Sequence, residues 1–296
     1  MTDRPAFLVR PLDALARLRA YASLVRFSHT VFALPFALTG AMLAAVETPL
    51  TAARLGWIVA AMATARTAAM GFNRLADARS DALNPRTRNR ELPRGRVSRR
   101  EAAALVAVSS VAFVAVASRI SALCLALSPV ALGIVFWYSL AKRYTTWTQV
   151  FLGLALAVAP VGGWIAAGGG AGWEPWLLGI GTGTWVAGFD ILYACQDVDF
   201  DRNQGLRSIP ARFGVARALS ISRAFHVLTV GSLAALAWVA PLGPVYLAGV
   251  AGVAALLAYE QSLVRPGDLS RVKQAFDLNG CVGVLYCIAT AMAIHG

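Results

Sequence analysis

Apolar segments of roughly twenty residues recur along nearly the whole chain, and each can cross about 30 Å of hydrocarbon as a helix rising about 1.5 Å per residue. They fall at 25–46, 55–76, 101–118, 120–140, 147–168, 175–196, 217–239, 243–263 and 275–294. Only 14% of the residues are charged and 58% are hydrophobic, whereas about a quarter charged is ordinary for a soluble domain. An all-α polytopic membrane protein of about nine spans is expected, because a helix satisfies its backbone groups within its own segment.

The basic residues bear on that count, since cytoplasmic loops collect Lys and Arg. With a cytoplasmic N-terminus and alternating spans, 23 of the 27 basic residues share one side, including the nine arginines from Arg74 to Arg100, Lys142, Arg143, Arg202 and Arg207. Arg54 and Arg119 fall opposite, and Arg66 and Arg223 lie within spans. The net charge of +12 is then a property of the cytoplasmic face. A nucleic-acid partner is not expected, because no exposed soluble domain is available to bind one. The opening "MTDRPAFLVRPLDALARLRA" lacks an apolar run ending in a small-residue cleavage site and reads as an amphipathic cytoplasmic lead-in rather than a signal peptide. Cys124, Cys195, Cys281 and Cys287 show no CxxC spacing and read as buried core residues, and Gly168 to Gly170 as an outer loop.

Two segments break the apolar pattern in the same way. "GFNRLADARSDALNPRTRNRELPRG" (71–95) and "FDILYACQDVDFDRNQGLRSIPARFG" (189–214) each end an apolar helix in acids four residues apart and then run into arginines. Each follows the second span of a group of four, which suggests two pseudo-repeats, about 20–143 and 144–264, with a final helix at 275–294, all within a single domain, 1–296. Residues four or seven apart share a helix face, so Arg66, Asn73, Asp77 and Asp81 form one stripe and Asp190, Tyr193, Asp197 and Asp201 another. If the stripes face each other, four carboxylates converge, and two like charges about 4 Å apart repel by about 4 kcal/mol even at an effective dielectric of 20. A cation is needed between them. Oxygen-only ligands suit Mg²⁺, which binds substrate phosphates with its remaining positions. Arg74, Arg79, Lys142, Arg143, Arg202 and Arg207 are at hand for the phosphate oxygens left over.

These residues resemble a known family. "NRLADARSD" with "RTRNRELPRG" is similar to the first signature of the UbiA superfamily of intramembrane prenyltransferases, NDxxDxxxD with a downstream R-T-x-x-R-x-L-P-x-G, and "YACQDVDFD" to its second, YAxxDxxxD. "YSLAKRYTTWTQVFLGLALAVAP" resembles the 4-hydroxybenzoate branch, whereas "VRFSHTVFALPFALTG" and "RELP" resemble its futalosine-route menaquinone relatives. The resemblance implies that Asn73, Asp77, Asp81, Asp197 and Asp201 ligate Mg²⁺ and through it a polyprenyl diphosphate. Lys142, Arg143 and Arg207 would contact the diphosphate directly, and Arg66, Asp190 and Tyr193 would sit at a hydroxylated aromatic acid. Arg74 stands where the family usually has Asp, so one metal ligand is either missing or replaced by a diphosphate-binding cation, and Arg207 stands where Lys is usual.

The implied reaction is Mg²⁺-dependent transfer of the prenyl group to a ring carbon of 4-hydroxybenzoate or 1,4-dihydroxy-6-naphthoate in ubiquinone or menaquinone biosynthesis. Asp77 and Asp197 would serve ionisation, and Asp190 would be the base for the phenol proton. The implied location is the bacterial plasma membrane, with the site facing the cytoplasm. Two alternatives are a haem- or chlorophyll-type prenyltransferase, which would not need Arg66, and a secondary transporter, whose helices would break near mid-membrane. His29 reads as a hydrogen-bonded interior residue, Asp199 as facing away from the site, and Asp277 as a helix-start acid.

Overall fold

The computed structural model describes residues 14–24, 33–46 and 49–295. The helices in chain order are α1 (Ala14–Leu24), α2 (Leu34–Ala44), α3 (Ala52–Leu83), α4 (Arg99–Ile120), α5 (Ala122–Tyr144) and α6 (Thr148–Ala167). They are followed by α7 (Glu174–Ala194), α8 (Val198–Asn203), α9 (Ile209–Phe213), α10 (Val215–Val239), α11 (Pro244–Ser262) and α12 (Val272–His295). Among the described residues, eight helical runs are long and apolar enough to cross a membrane, and α2 is a shorter apolar helix. The rest of the first expected span lies outside the described residues, as does His29. Part of the expected lead-in forms α1.

Local chemistry sets several boundaries. Ser98 accepts from the Glu101 amide at 3.2 Å while the Glu101 carboxylate accepts from the Ser98 amide at 2.8 Å, a reciprocal box that starts α4. Ser121 is both the end of α4 and the cap of α5, accepting from the Cys124 amide at 3.1 Å. The α3 helix has 32 residues and is about 48 Å long, so it outruns the hydrocarbon. It passes the expected end at 76 because no Gly or Pro interrupts it between Phe72 and Asn84, which caps it just before Pro85. Asp77 and Asp81 thereby stand on regular helix. The second acidic segment is different: a 3₁₀ turn, Cys195–Asp197, separates α7 from α8 and breaks the single α-helical stripe expected through Asp190, Tyr193, Asp197 and Asp201.

The helices pack in a ring. α7 lies between α6 and α10, α11 between α10 and α12, and α12 closes back on α2. On the other arc α3 packs on α4, α4 on α5 and α5 on α6. Phe36, Trp185, Tyr246 and Tyr286 fill the main core. Cys281 is exposed rather than buried, because its position on α12 faces outward, while Cys195 is buried. Asp277 lies beyond the first turn of α12, exposed and paired with Lys273 at 2.6 Å, which is a surface helix pair instead of a helix-start acid.

The first helix of each proposed repeat, α2 and α6, cross in van der Waals contact. A Cβ on Gly40 would lie 2.1 Å from the Pro160 carbonyl oxygen, and a Cβ on Gly163 would lie 2.1 Å from that of Ala37. The same interval separates Ala37 from Pro160 and Gly40 from Gly163, so the contact is reciprocal. Small residues drive such approaches in membranes, where helix association depends on packing rather than on exclusion of water. Gly163→Ala should therefore lower the melting temperature of the detergent-purified protein by several degrees. Gly162→Ala, whose Cβ meets nothing within 4 Å, should leave it within about one degree.

Candidate active site

A cavity of about 600 Å³ lies between α3, α5, α6 and α7, and its walls are mostly apolar. Ile58, Met62, Phe113 and Ile120 line one part, and Asp77, Asp197, Asp201, Lys142 and Arg207 line the ionic part. Both acidic segments and the last turn of α5 meet there. The Arg207 amide donates to the Lys142 carbonyl at 2.8 Å, joining the loop after α8 to the end of α5. Asn84 Nδ2 donates to Asp197 Oδ1 at 3.1 Å, joining the end of α3 to that of α7. The α3 and α6 ends joined by Arg54, which donates to the Ala167 carbonyl, belong to the opposite side of the bundle.

Each carboxylate has its own counter-group. Asp77, buried, pairs with Lys142 Nζ at 2.8 Å, and Asn73 Nδ2 lies 3.4 Å from its other oxygen. Asp81 is held by both oxygens to Arg90 Nη1 at 2.8 Å. Asp197 takes a forked ion pair from Arg86, which also donates to the Tyr193 hydroxyl at 2.8 Å and stacks over its ring at 4.9 Å. Asp201 accepts from Ser208 Oγ at 2.9 Å. Burial works against the Arg86 charge, but the Asp197 carboxylate outweighs it and holds the guanidinium above its ordinary pKa. Among the described residues no three His, Cys, Asp or Glu side chains gather closely enough to share one ion.

The residues predicted from sequence do not all arrive at the cavity. Arg66, Asn73, Arg74, Asp77, Lys142, Asp190, Tyr193, Asp197, Asp201 and Arg207 line it. Asp81 does not, being turned to Arg90, and neither does Arg143, which is exposed and donates to the Ala76 carbonyl. Arg74 is buried, with its Nε on the Leu24 carbonyl at 3.3 Å, so it ties α1 to α3 as well as facing the cavity. Asp199 is exposed, as its position off the stripe implies. Sequence reasoning missed Arg86 and Arg90 as individual partners, although both stand in the quoted R-T-x-x-R run, where they were read only as loop charge. It also missed Gln149, whose Oε1 accepts from the Ile209 amide at 3.2 Å.

The structure thus brings together membrane-length helices, an apolar cavity between them, and acids and guanidinium groups at one end of that cavity. The chain belongs to the UbiA prenyltransferase family, whose model matches residues 33–283. It is similar to 4-hydroxybenzoate octaprenyltransferases from Vibrio campbellii, at 31% identity over 77% of this chain and 80% of that one, and from Alkalilimnicola ehrlichii, at 33% over 78% of each. A solved UbiA homologue from Aeropyrum pernix K1 superposes with a TM-score of 0.82 and 37% identity, covering 90% of this chain and 98% of that one. The fold of an Archaeoglobus fulgidus homologue bound to GPP and Mg²⁺ matches with a TM-score of 0.70 at 20% identity, covering 94% of this chain and 100% of that one. The protein is a prenyltransferase of this family.

The geometry separates two residues that the resemblance assigns to one site, since Asp77 lines the cavity and Arg143 does not. Asp77→Ala, which empties the cavity's pairing partner for Lys142, should reduce prenyl transfer by at least about 100-fold without changing the size-exclusion profile. Arg143→Ala, on the exposed surface, should change it by less than about threefold. Comparable losses in both variants would contradict this reading of the cavity.

Proposed function

We propose that this chain transfers a polyprenyl group from an allylic diphosphate to a ring carbon of a hydroxylated aromatic acid. The observation that carries the proposal is the ionic end of the cavity: oxygen ligands and cations lie side by side there, directly against apolar walls. The donor set fits Mg²⁺, being all oxygen, and that ion needs only one or two carboxylates when substrate phosphate and water complete its shell. Asn73, Asp77, Asp197, Asp201 and Asp81 are the candidates to hold it, and as no three of these acids stand close enough here to share one ion, one or two of them would do so unless the ends of α3 and α7 draw together. When bound, the ion neutralises charge on the diphosphate as the bond to the allylic carbon breaks. The GPP and Mg²⁺ bound by the Archaeoglobus fulgidus homologue support this assignment.

The chain's own side chains do the rest. Lys142 and Arg86, paired here with Asp77 and Asp197, turn to the diphosphate oxygens when their carboxylates acquire another counter-charge. Arg207 and Arg74 add further cationic donors at the same end. The apolar walls keep water from the allylic cation, which would otherwise be trapped as an alcohol. Asp190, lining the cavity beside Tyr193, accepts the phenol proton as the ring carbon attacks C1 of the prenyl group, and the diphosphate leaves with the bonding pair. Loss of the ring proton then restores aromaticity. Arg66 holds the acceptor carboxylate from two helical turns along α3.

The names of the Vibrio and Alkalilimnicola relatives favour 4-hydroxybenzoate as the acceptor, while the segments 25–40 and 90–93, by their resemblance to the menaquinone branch, favour 1,4-dihydroxy-6-naphthoate. The arginine distribution supports an N-inside orientation in a bacterial plasma membrane, with the ionic end facing the cytoplasm. The test is transfer of labelled farnesyl diphosphate by membranes containing the protein, with and without Mg²⁺, with both acids in competition. Mg²⁺-dependent labelling of one acid is expected. No labelling of either while a porphyrin-type acceptor is labelled would overturn the acceptor assignment. Within an active enzyme, Arg66→Ala should raise the KM for the acid about tenfold or more and leave that for the donor nearly unchanged.

A further inference from the structure

Two adjacent residues in the last turn of α11, Glu260 and Gln261, take no part in the reaction proposed above, yet both turn inward. Glu260 is 1% exposed and Gln261 half-buried. A carboxyl group so fully buried is expensive and calls for a reason. Its Oε1 accepts from Asn279 Nδ2 of α12 at 2.9 Å, and Asn279 Oδ1 accepts from Trp185 Nε1 of α7 at 2.6 Å. Trp185 packs on Phe189, with ring centroids 5.2 Å apart, and Phe189 packs on Phe276 at 5.6 Å. Phe276 in turn lies 4.6 Å from Tyr193. Phe189, Tyr193 and Phe276 all line the cavity beside Asp190.

Gln261 reaches α7 by a second route. Its Nε2 donates to Ser222 Oγ at 2.7 Å and lies 3.0 Å from His226 Nδ1. Ser222 Oγ donates to the Gly188 carbonyl at 2.8 Å. The His226 ring lies so close to Gly188 that a Cβ there would stand 2.3 Å from Nε2. The two routes therefore grip α7 at Trp185 and Gly188, on the turn that leads into Phe189 and Asp190.

We infer that Glu260 and Gln261 form a two-armed brace that sets the rotation of α7 and so the position of Asp190 and the aromatic wall against the acceptor ring. They are positioning residues and touch neither substrate. This deepens the proposed function, because the acceptor end of the cavity is the part that the brace controls. The Mg²⁺ and diphosphate end is tied together by other links, Asn84 to Asp197 and Arg207 to Lys142, and does not pass through α11.

The test compares Glu260→Leu, Gln261→Leu and the double variant with Glu260→Gln, which retains an oxygen for Asn279. In the leucine variants kcat/KM for the acceptor should fall about 10- to 100-fold, as expected when a reacting group is misplaced by about 1 Å, with the donor Kd within twofold of wild type. Glu260→Gln should stay within about threefold. Hydrogen exchange of the 185–194 segment, a readout that needs no acceptor, should speed up in the double variant relative to α3. If wild-type protein labels neither acid, the function reading fails while the exchange experiment still decides the brace. Unchanged exchange at 185–194, or equal losses for donor and acceptor in step with melting temperature, would overturn the inference.

Discussion

The carboxylates at the ends of α3 and α7 would repel one another if left unpaired, and the surrounding structure at this end of the bundle supplies a partner for Asp77, Asp81, Asp197 and Asp201. Lys142 comes from α5, Arg90 and Arg86 from the loop after α3, and Ser208 from the loop after α8, so every acid is met by a group from another segment. Bringing the acids together without those partners would cost several kcal/mol per close pair. In the proposed reaction these pairs are what the substrate would displace, because a metal-bound diphosphate would offer both the cation that the acids need and the anion that the arginines and Lys142 need. On the proposed function, binding would exchange one set of ion pairs for another.

The rest of the bundle supplies what that exchange requires: a dry space and fixed walls. Membrane helices gain little from hiding apolar surface, so close packing of small residues takes over, as at Gly40 and Gly163. Where polar side chains are buried in the bundle they form linked hydrogen bonds, as Tyr246 does with Tyr286 and the Leu233 carbonyl. The Glu260 and Gln261 links extend that pattern toward the acceptor end.

Much was written in the chain itself. The apolar runs and the placement of lysine and arginine specify a polytopic helical protein, because the length of a membrane helix follows from the thickness of hydrocarbon and the rise per residue. The acids four apart, followed by arginines, mark the ionic end, because like charges in one place demand a counter-ion. Those arguments are local or nearly so. Tertiary structure decided which charge meets which. Asp81 and Asp77 share a helix face, yet Arg90 takes one and Lys142 the other, and neighbouring Lys142 and Arg143 diverge because one points into the bundle and the other away. The 3₁₀ turn at Cys195–Asp197 rephased the second stripe, and spacing could not reveal it. Glu260 and Asn279 come from consecutive helices and Trp185 from one 94 residues before Asn279, and only their packing brings them within hydrogen-bonding distance.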